Sequence, residues 1–310
     1  MKTFNSVESF SSKTPTVLTI GTFDGVHIGH KKILNRLIST AKQQKLESLV
    51  LTFFPHPRMV LQKDSNIKLI HTIQERESIL ANLGLENLII QPFSKEFSRL
   101  TATEFVRDIL VNKLNIKHVI VGYDHRFGRN RTADIHSLKE FGEIYDFTVE
   151  EISAQDIDDV AVSSTKIRTA LAEGQINTAN NYLDDTFQLN GTVTKGKEIG
   201  RTINFPTANV TISEDYKIIP KNGVYIAKAT VNNQTYKGMM NIGNNPTVQG
   251  TSQSIEIHLF NFNKDIYNKH ISIKLLKRIR DEHKFESIDI LKQQLKEDQN
   301  TALTYFNTND

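Results

Sequence analysis

The chain has 310 residues, of which 38 are Lys or Arg and 35 Asp or Glu, giving a formal net charge of +3. That length supports about two domains with cores of their own, and a near balance of charge without a basic run argues against a protein that coats nucleic acid. Cysteine is absent, which excludes disulfide scaffolds, cysteine nucleophiles and thiolate metal sites and fits a cytoplasmic chain; there is no apolar signal core and no run near the ~18 apolar residues of a membrane helix.

In chain order, residues 17–21 (VLTIG) read as a buried strand, and Ile33, Leu34, Leu37, Ile38 and Ala41 then recur on one helical face. Residues 48–54 form the next strand. Thr72 and Glu75 make a T-x-x-E capping box that opens a helix, and Thr101 with Glu104 opens another, through Leu114. Strands are expected at 87–91 and 117–122, and a helical stretch at 134–145. Strands alternating with helices of that length imply βαβ units and a doubly wound parallel sheet, with ligands beyond the carboxyl ends of its strands. Past residue 186 the texture changes. Residues 188–194, 224–231, 235–242, 254–262 and 271–276 are β-branched runs with little helical pattern between them, so an antiparallel, hairpin-connected small barrel is expected. Ile288, Leu291, Leu295, Ala302, Leu303 and Phe306 suggest one or two amphipathic terminal helices. The expected fold class is therefore α/β plus β, with domains at 1–186 and 187–310.

The densest motif is Gly21-Thr22-Phe23-Asp24-Gly25-Val26-His27-Ile28-Gly29-His30. It lies where a strand ends and a helix begins, a place where free backbone N–H groups and the helix dipole favour an anion. Gly25 and Gly29 permit close approach of the backbone. His27 and His30, three apart, share one face of the first turn and could stabilise charge on a phosphoryl group. Two His plus Asp24 are also a metal donor set, but no third ligand is evident nearby, and the Gly-rich strand-to-helix context favours phosphate. In the second part, Gly191 to Lys197 fits G-x-x-x-x-G-K. Glu198, however, stands where a P-loop needs Ser or Thr, and strands follow, so a Walker A motif is rejected.

G-x-F-D-G-x-H-x-G-H resembles the nucleotidyltransferase signature of the FAD synthetase module. Three more segments match that module in order: Thr52-Phe53-Phe54-Pro55-His56-Pro57, its flavin-side loop; Val121-Gly122-Tyr123-Asp124-His125-Arg126-Phe127-Gly128; and Ser163-Ser164-Thr165-Lys166-Ile167-Arg168. Further on, G-x-V-x-x-G-x-x-x-G-R-x-x-x-F-P-T-A-N, from Gly191 through Gly196, Gly200 and Arg201 to Thr207 and Asn209, resembles the riboflavin kinase signature. Ala133 and Asn204 stand where these patterns commonly have Gly.

The resemblance covers nearly the whole chain and implies a bifunctional riboflavin kinase and FAD synthetase (FMN adenylyltransferase) of bacterial type. Its N-terminal domain, 1–186, would be a Rossmann-like nucleotidyltransferase that adenylylates FMN to FAD. Its C-terminal barrel, 187–310, would phosphorylate riboflavin to FMN. The implied nucleotide-binding residues are Gly21, Phe23, Asp24, Gly25, Asp124, Ser163, Ser164, Thr165, Gly196, Gly200, Arg201, Thr207 and Asn209. His27, His30 and Arg168 would act on the triphosphate. Asp24 and Asp124 would serve Mg²⁺ or the nucleotide, in an order the sequence does not assign, and Thr207 and Asn209 would contact Mg²⁺ in the barrel. Phe54, His56, Pro57, Arg126, Phe127, Arg280 and Phe285 would lie on the flavin side, with Phe285 either covering the ring or packing the last helix. Glu256 aligns with the kinase's general base, a role with a physical reason: a ribityl hydroxyl must lose a proton, whereas an FMN phosphate is already anionic. The implied partners are riboflavin, FMN and ATP with Mg²⁺, and neither nucleic acid nor membrane; oligomeric state is left open. Two other readings are an adenylyltransferase for another substrate with the barrel as specificity module, and a non-catalytic flavin-binding protein.

Overall fold

Four of the apolar runs become neighbouring strands of one sheet. The computed structural model describes residues 1–62, 65–153, 162–196, 200, 203–247 and 250–309, and it divides into two units, Met1–Ser164 and Thr165–Asp310.

The first unit carries β1 (Lys2–Phe4), β2 (Thr16–Ile20), α1 (Ile28–Gln44), β3 (Glu47–Phe54), α2 (Pro57–Leu61), α3 (Ile73–Asn82), β4 (Asn87–Pro92), α4 (Ala102–Glu104), β5 (Ile116–Gly122), α5 (Ile135–Tyr145) and β6 (Thr148–Ile152). All strand pairs are parallel, in the order β1-β4-β3-β2-β5-β6. Side chains alternate across the sheet. Leu18, Leu49, Ile89 and Val119 pack on one face with Leu138 of α5 and with Phe105 and Val106. Val17, Val50, Leu88 and Ile120 pack on the other with Leu34 and Leu37 of α1 and Leu80 of α3. The sheet is doubly wound, as expected. Both capping boxes form, but the second helix is only one turn long before the chain widens into a π-helical stretch, Phe105–Val111. The edge strands β1 and β6 and the short α2 had no clear sequence signal. The chain leaves β2 in one direction for β3 and later returns past it to β5, so the crevice between the carboxyl ends of β2 and β5 is the topological switch point.

The second unit starts at Thr165, within the first turn of α6 (Ser164–Glu173), and continues with α7 (Ile176–Leu183), β7 (Gln188–Thr194), β8 (Ala208–Thr211), β9 (Gly223–Val231), β10 (Gln234–Thr247), β11 (Gly250–Leu259), β12 (His270–Arg280) and α8 (Ile288–Asn309). The division falls before the 186/187 boundary expected from sequence because these helices are tied to the strands. Asn180 donates from Nδ2 to the Leu275 carbonyl at 2.9 Å and accepts the Phe187 N–H at 2.8 Å, and Lys221 N–H donates to the Leu171 carbonyl.

Six antiparallel strands close into a barrel in the order β10-β11-β8-β7-β12-β9. Tyr225, Met240 and Ile257 are register partners, fully buried inside it. Their neighbours Ile226, Met239 and Phe260 point outward and are covered by Ala302 and Phe306 of α8. One helix therefore takes up the terminal periodicity, although Ile288 and Leu303 of that set stay exposed. A buried ion pair clamps it: Arg280 on β12 reaches both oxygens of Asp298 through Nε (2.9 Å) and Nη2 (2.7 Å), and Asp298 is 1% exposed. Removing one partner of such a pair leaves an uncompensated charge. Asp298→Asn is expected to destabilise the barrel unit by about 3 kcal/mol, read as a lower denaturant midpoint in its unfolding transition.

Candidate active sites

In the first unit, the loop from Gly21 to His27 closes the carboxyl end of β2, where the Gly21 N–H donates to the Leu51 carbonyl at 3.1 Å. Its path is unusual: Phe23, Gly25 and Val26 have φ of +46°, +94° and +39°. The left-handed region costs Gly25 nothing, but it is a true outlier for a β-branched valine and persists only where surroundings over-determine it. His27 caps α1, its Nδ1 accepting the His30 N–H at 3.3 Å. A neutral His27 therefore carries its proton on Nε2, as a donor. The His30 ring stacks on that of His27, centroids 3.7 Å apart, and Phe23 meets His30 edge-on at 5.1 Å. Burial holds His27 at about 4, below the ordinary 6.5 and against the pull of Asp24. Burial, with help from His27, Arg76 and His71, holds His30 well below its ordinary value. Both rings are neutral donors near pH 7.

Asp24 is not placed as expected. Its carboxylate is fully buried, accepts the Ile70 and His71 N–H groups at 3.0–3.2 Å, and lies 3.7 Å from Nη2 of Arg76. It faces the protein and holds the loop from beneath. Phe23 is likewise buried and acts as a wall for His30. Ser164 donates from Oγ to the Asp24 carbonyl at 2.7 Å and so reaches the histidine loop, with Ser163 next to it in sequence, whereas Thr165 and Arg168 stand on α6 in the second unit.

The other expected loops of this unit lie at the ends of β3 and β5. Phe54 and Pro57 are half-buried, and His56 caps α2 by accepting the Arg58 N–H at 3.1 Å. Asp124 and Arg126 are exposed. Phe127 is buried and paired with Ala133 through two backbone hydrogen bonds, so Ala serves the bridge without a glycine. A ladder of rings that sequence reasoning missed, Phe53–Phe97–Phe105–Phe127 with spacings of 5.7–6.2 Å, joins these two loops.

In the second unit the expected residues converge. A cavity of about 270 Å³ is lined by Gly200, Thr207, Glu256, Arg280 and Phe285, among others. It opens on the outer face of the barrel, roofed by Leu291 and Leu295 of α8. Asn209, Glu256, Asn241, Val224 and Arg280 are successive register partners across five strands and so share a face. Thr207 donates from Oγ1 to Glu256 Oε2 at 3.0 Å. Gly196 lies against Asn209: a Cβ there would sit 2.0 Å from Nδ2 and would have to displace the amide. A hydroxyl, an amide carbonyl and a carboxylate are hard oxygen donors, the set a phosphate-bound divalent cation takes. Asn204 adopts φ +64°, which Asn tolerates as glycine does. Arg280 is committed to Asp298 and stacks over Phe285 at 5.7 Å, so it supports the cavity wall. Phe285 lines the cavity. Arg201 lies outside the described residues.

The FAD synthetase family model matches residues 9–166 and the riboflavin kinase model residues 183–306. The chain is 37% identical over 291 residues to a bifunctional riboflavin kinase/FMN adenylyltransferase of Escherichia coli (strain K12), and 36% identical over 297 residues to that of Bacillus subtilis (strain 168). Each alignment covers 94% of this chain and 92% of the relative. The chain belongs to the bifunctional riboflavin kinase/FMN adenylyltransferase family. A solved Streptococcus pneumoniae structure described as a macrolide-efflux protein is 31% identical, with a TM-score of 0.89 over 97% of this chain and 98% of that one. Among the described residues no helix is long and apolar enough to cross a membrane.

Two further residues, His258 and Asn241, line the barrel cavity. His258 bonds through Nδ1 to the Pro206 carbonyl at 2.8 Å, fixing the segment that carries Thr207. Asn241 sits beside Glu256 in register. Alternation along β11 puts His258 on the same face as Glu256.

Acid lability follows from the buried histidines. His27 and His125, each held at about 4 by burial, stay neutral in the folded chain while the unfolded chain protonates below about 6.5. The unfolded state then binds more protons, so stability falls as pH drops from 6.5 towards 4. The Nε2 of His125 is buried without a hydrogen-bond partner. His125→Phe should reduce that slope by about one proton, roughly 1.4 kcal/mol per pH unit, in urea titrations at pH 7 and pH 5.

Proposed function

We propose that the two activities of the family are divided between the two units and carried by the residues gathered above. The chain phosphorylates riboflavin to FMN and adenylylates FMN to FAD, with ATP as co-substrate of both reactions. The observation that supports the kinase half best is the contact of Thr207 with Glu256 at the head of a cavity walled by Phe285 and Met239.

In the barrel, one oxygen of Glu256 accepts from Thr207, and the other serves the substrate. The ribityl hydroxyl gives its proton to that carboxylate, its oxygen bonds to the γ-phosphorus, the β–γ bridge breaks and ADP leaves. A hydroxyl needs a base within hydrogen-bond reach, and Glu256 is the carboxylate that the row of register partners holds there. We assign Mg²⁺ as the cation of the ATP: Thr207 and Asn209 would hold it, and it would supply neutralisation of charge on the transferring phosphoryl group. The flavin ring takes the apolar end of the cavity against Phe285.

In the first unit the nucleophile is an FMN phosphate oxygen. It bonds to the α-phosphorus and pyrophosphate departs, with no proton to remove. Positioning and neutralisation then set the rate. The Nε2–H of His27, the neighbouring His30 ring and the free N–H groups at the start of α1 are the donors for the phosphates, and Ser163 and Ser164 border the same loop.

Incubation with riboflavin, ATP and Mg²⁺, followed by chromatography of the flavins, should show FMN first and FAD after it. Glu256→Gln should cut riboflavin phosphorylation by about 10²–10⁴-fold and leave adenylylation of added FMN unchanged; parallel loss of both activities would refute the division. His27→Ala should do the reverse, lowering FAD formation about 10²-fold while FMN still accumulates.

A further inference from the structure

We propose that Arg76 is a positioning residue for FMN adenylylation, its buried guanidinium joining the histidine loop to the end of β3. The proposal rests on the adenylylation reading above and adds a residue that no motif contains. Arg76 is 2% exposed, an unusual place for a guanidinium unless its charge is matched. It lies in the first turn of α3, which the Thr72–Glu75 capping box fixes. From there the side chain faces two loops. Nη2 lies 3.7 Å from Asp24 Oδ1, three residues before His27. Nη1 donates to Thr52 Oγ1 at 3.3 Å, and Thr52 is the first residue of the T-F-F-P-H-P segment. Thr52 in turn donates to the Thr22 carbonyl at 3.1 Å, back into the histidine loop. Arg76, Asp24 and Thr52 thus close a buried ring of contacts around the backbone of residues 22–24.

That ring has a mechanical reason. With left-handed φ at Phe23 and Val26, the loop does not hold its shape by local preference, and such strain lasts only where packing and hydrogen bonds impose it. The ring imposes it from below, on the side away from the phosphates. It also ties the loop that presents His27 to the strand end that leads into the flavin-side segment, so donor and acceptor loops keep one spacing. Small misplacement of reacting groups is costly in this kind of reaction, whose rate is set by positioning.

Arg76→Met, Arg76→Lys and Thr52→Val test this in the full chain, with riboflavin phosphorylation by the second unit as an internal measure of intact protein. Arg76→Met is expected to lower kcat for FMN adenylylation about 10²-fold with little change in KM for ATP, and Arg76→Lys to restore part of it. Thr52→Val keeps the ion pair and the volume but removes both hydroxyl contacts, and should lower kcat too. Because all three residues act as one unit, the double variant Arg76→Met/Thr52→Val should be no slower than Arg76→Met. Adenylylation at the unmodified rate in folded Arg76→Met overturns the proposal. If Arg76→Met unfolds the first unit, Thr52→Val decides: a lower kcat supports the proposal and an unchanged one overturns it. An unmodified chain that makes no FAD from FMN removes the adenylylation reading itself, a result distinct from either variant outcome.

Discussion

Slipping β11 by one residue against β8 and β10 would turn Glu256 into the barrel and bring Ile255 and Ile257 out to water, because the side-chain period of a strand is two. The apolar residues forbid that slip. Ile257 is fully buried beside Met240, and losing it from the core costs roughly 2–5 kcal/mol, more than any single polar contact on the outer face provides. Hydrophobic register therefore decides where the carboxylate points. Asn209, Asn241 and Arg280 follow from the same pairing, since each occupies the matching position on its own strand. The outer face so created would be an exposed sheet surface were it not for α8. The apolar contacts of Ala302 and Phe306 lay the helix on the barrel, and the Arg280–Asp298 pair fixes it in place.

The first unit solves a different problem. Its parallel sheet fixes where β2 ends, but the next seven residues must turn and present His27 before α1 begins. Nothing in the intrinsic preferences of Phe23 or Val26 favours that turn. The chain supplies the missing constraint with a carboxylate at Asp24 that bonds two backbone N–H groups and approaches a buried guanidinium. A buried charge pair of this kind contributes little net stability, yet it is satisfied in one loop geometry only. Its value here is conformational.

Legibility from the sequence differed between elements for the same reasons. β2, β3, β4 and β5 and the two capping boxes were readable because a buried parallel strand is a continuous apolar run and a cap is a local hydrogen-bond pattern. β1 and β8 were not, being three and four residues long and held by pairing to distant strands. The barrel residues Thr207, Asn209 and Glu256 were readable as a group, through motif resemblance, and the structure brings them to one face. The resemblance gives Asp24 to Mg²⁺ or the nucleotide, whereas in the fold it turns inward to the Ile70 and His71 N–H groups and towards Arg76, partners some fifty residues away in sequence and in no motif. Arg280 was read as a flavin contact and is occupied by Asp298, a residue whose importance is set by helix packing and has no local signature. Motifs and local patterns are legible in the sequence, and partners such as Arg76 and Asp298 that only the tertiary fold supplies are not.

The proposed division also separates the protonation work. Phosphorylation begins from a neutral hydroxyl, and on the proposed division its proton acceptor is Glu256, half-buried and bonded to a hydroxyl at the head of an open cavity. Adenylylation begins from a phosphate that is already anionic, so a base would be idle and donors are needed instead. The stacked pair His27 and His30 has the opposite setting, buried enough to stay neutral and oriented by a backbone N–H so that His27 presents its ring proton. A charged imidazole would bind both triphosphate and pyrophosphate strongly. A neutral donor contributes less to ground-state binding and leaves the product freer to depart. On the proposed division, a carboxylate on a barrel face and imidazoles at a helix start would answer the different needs of the two nucleophiles within one chain.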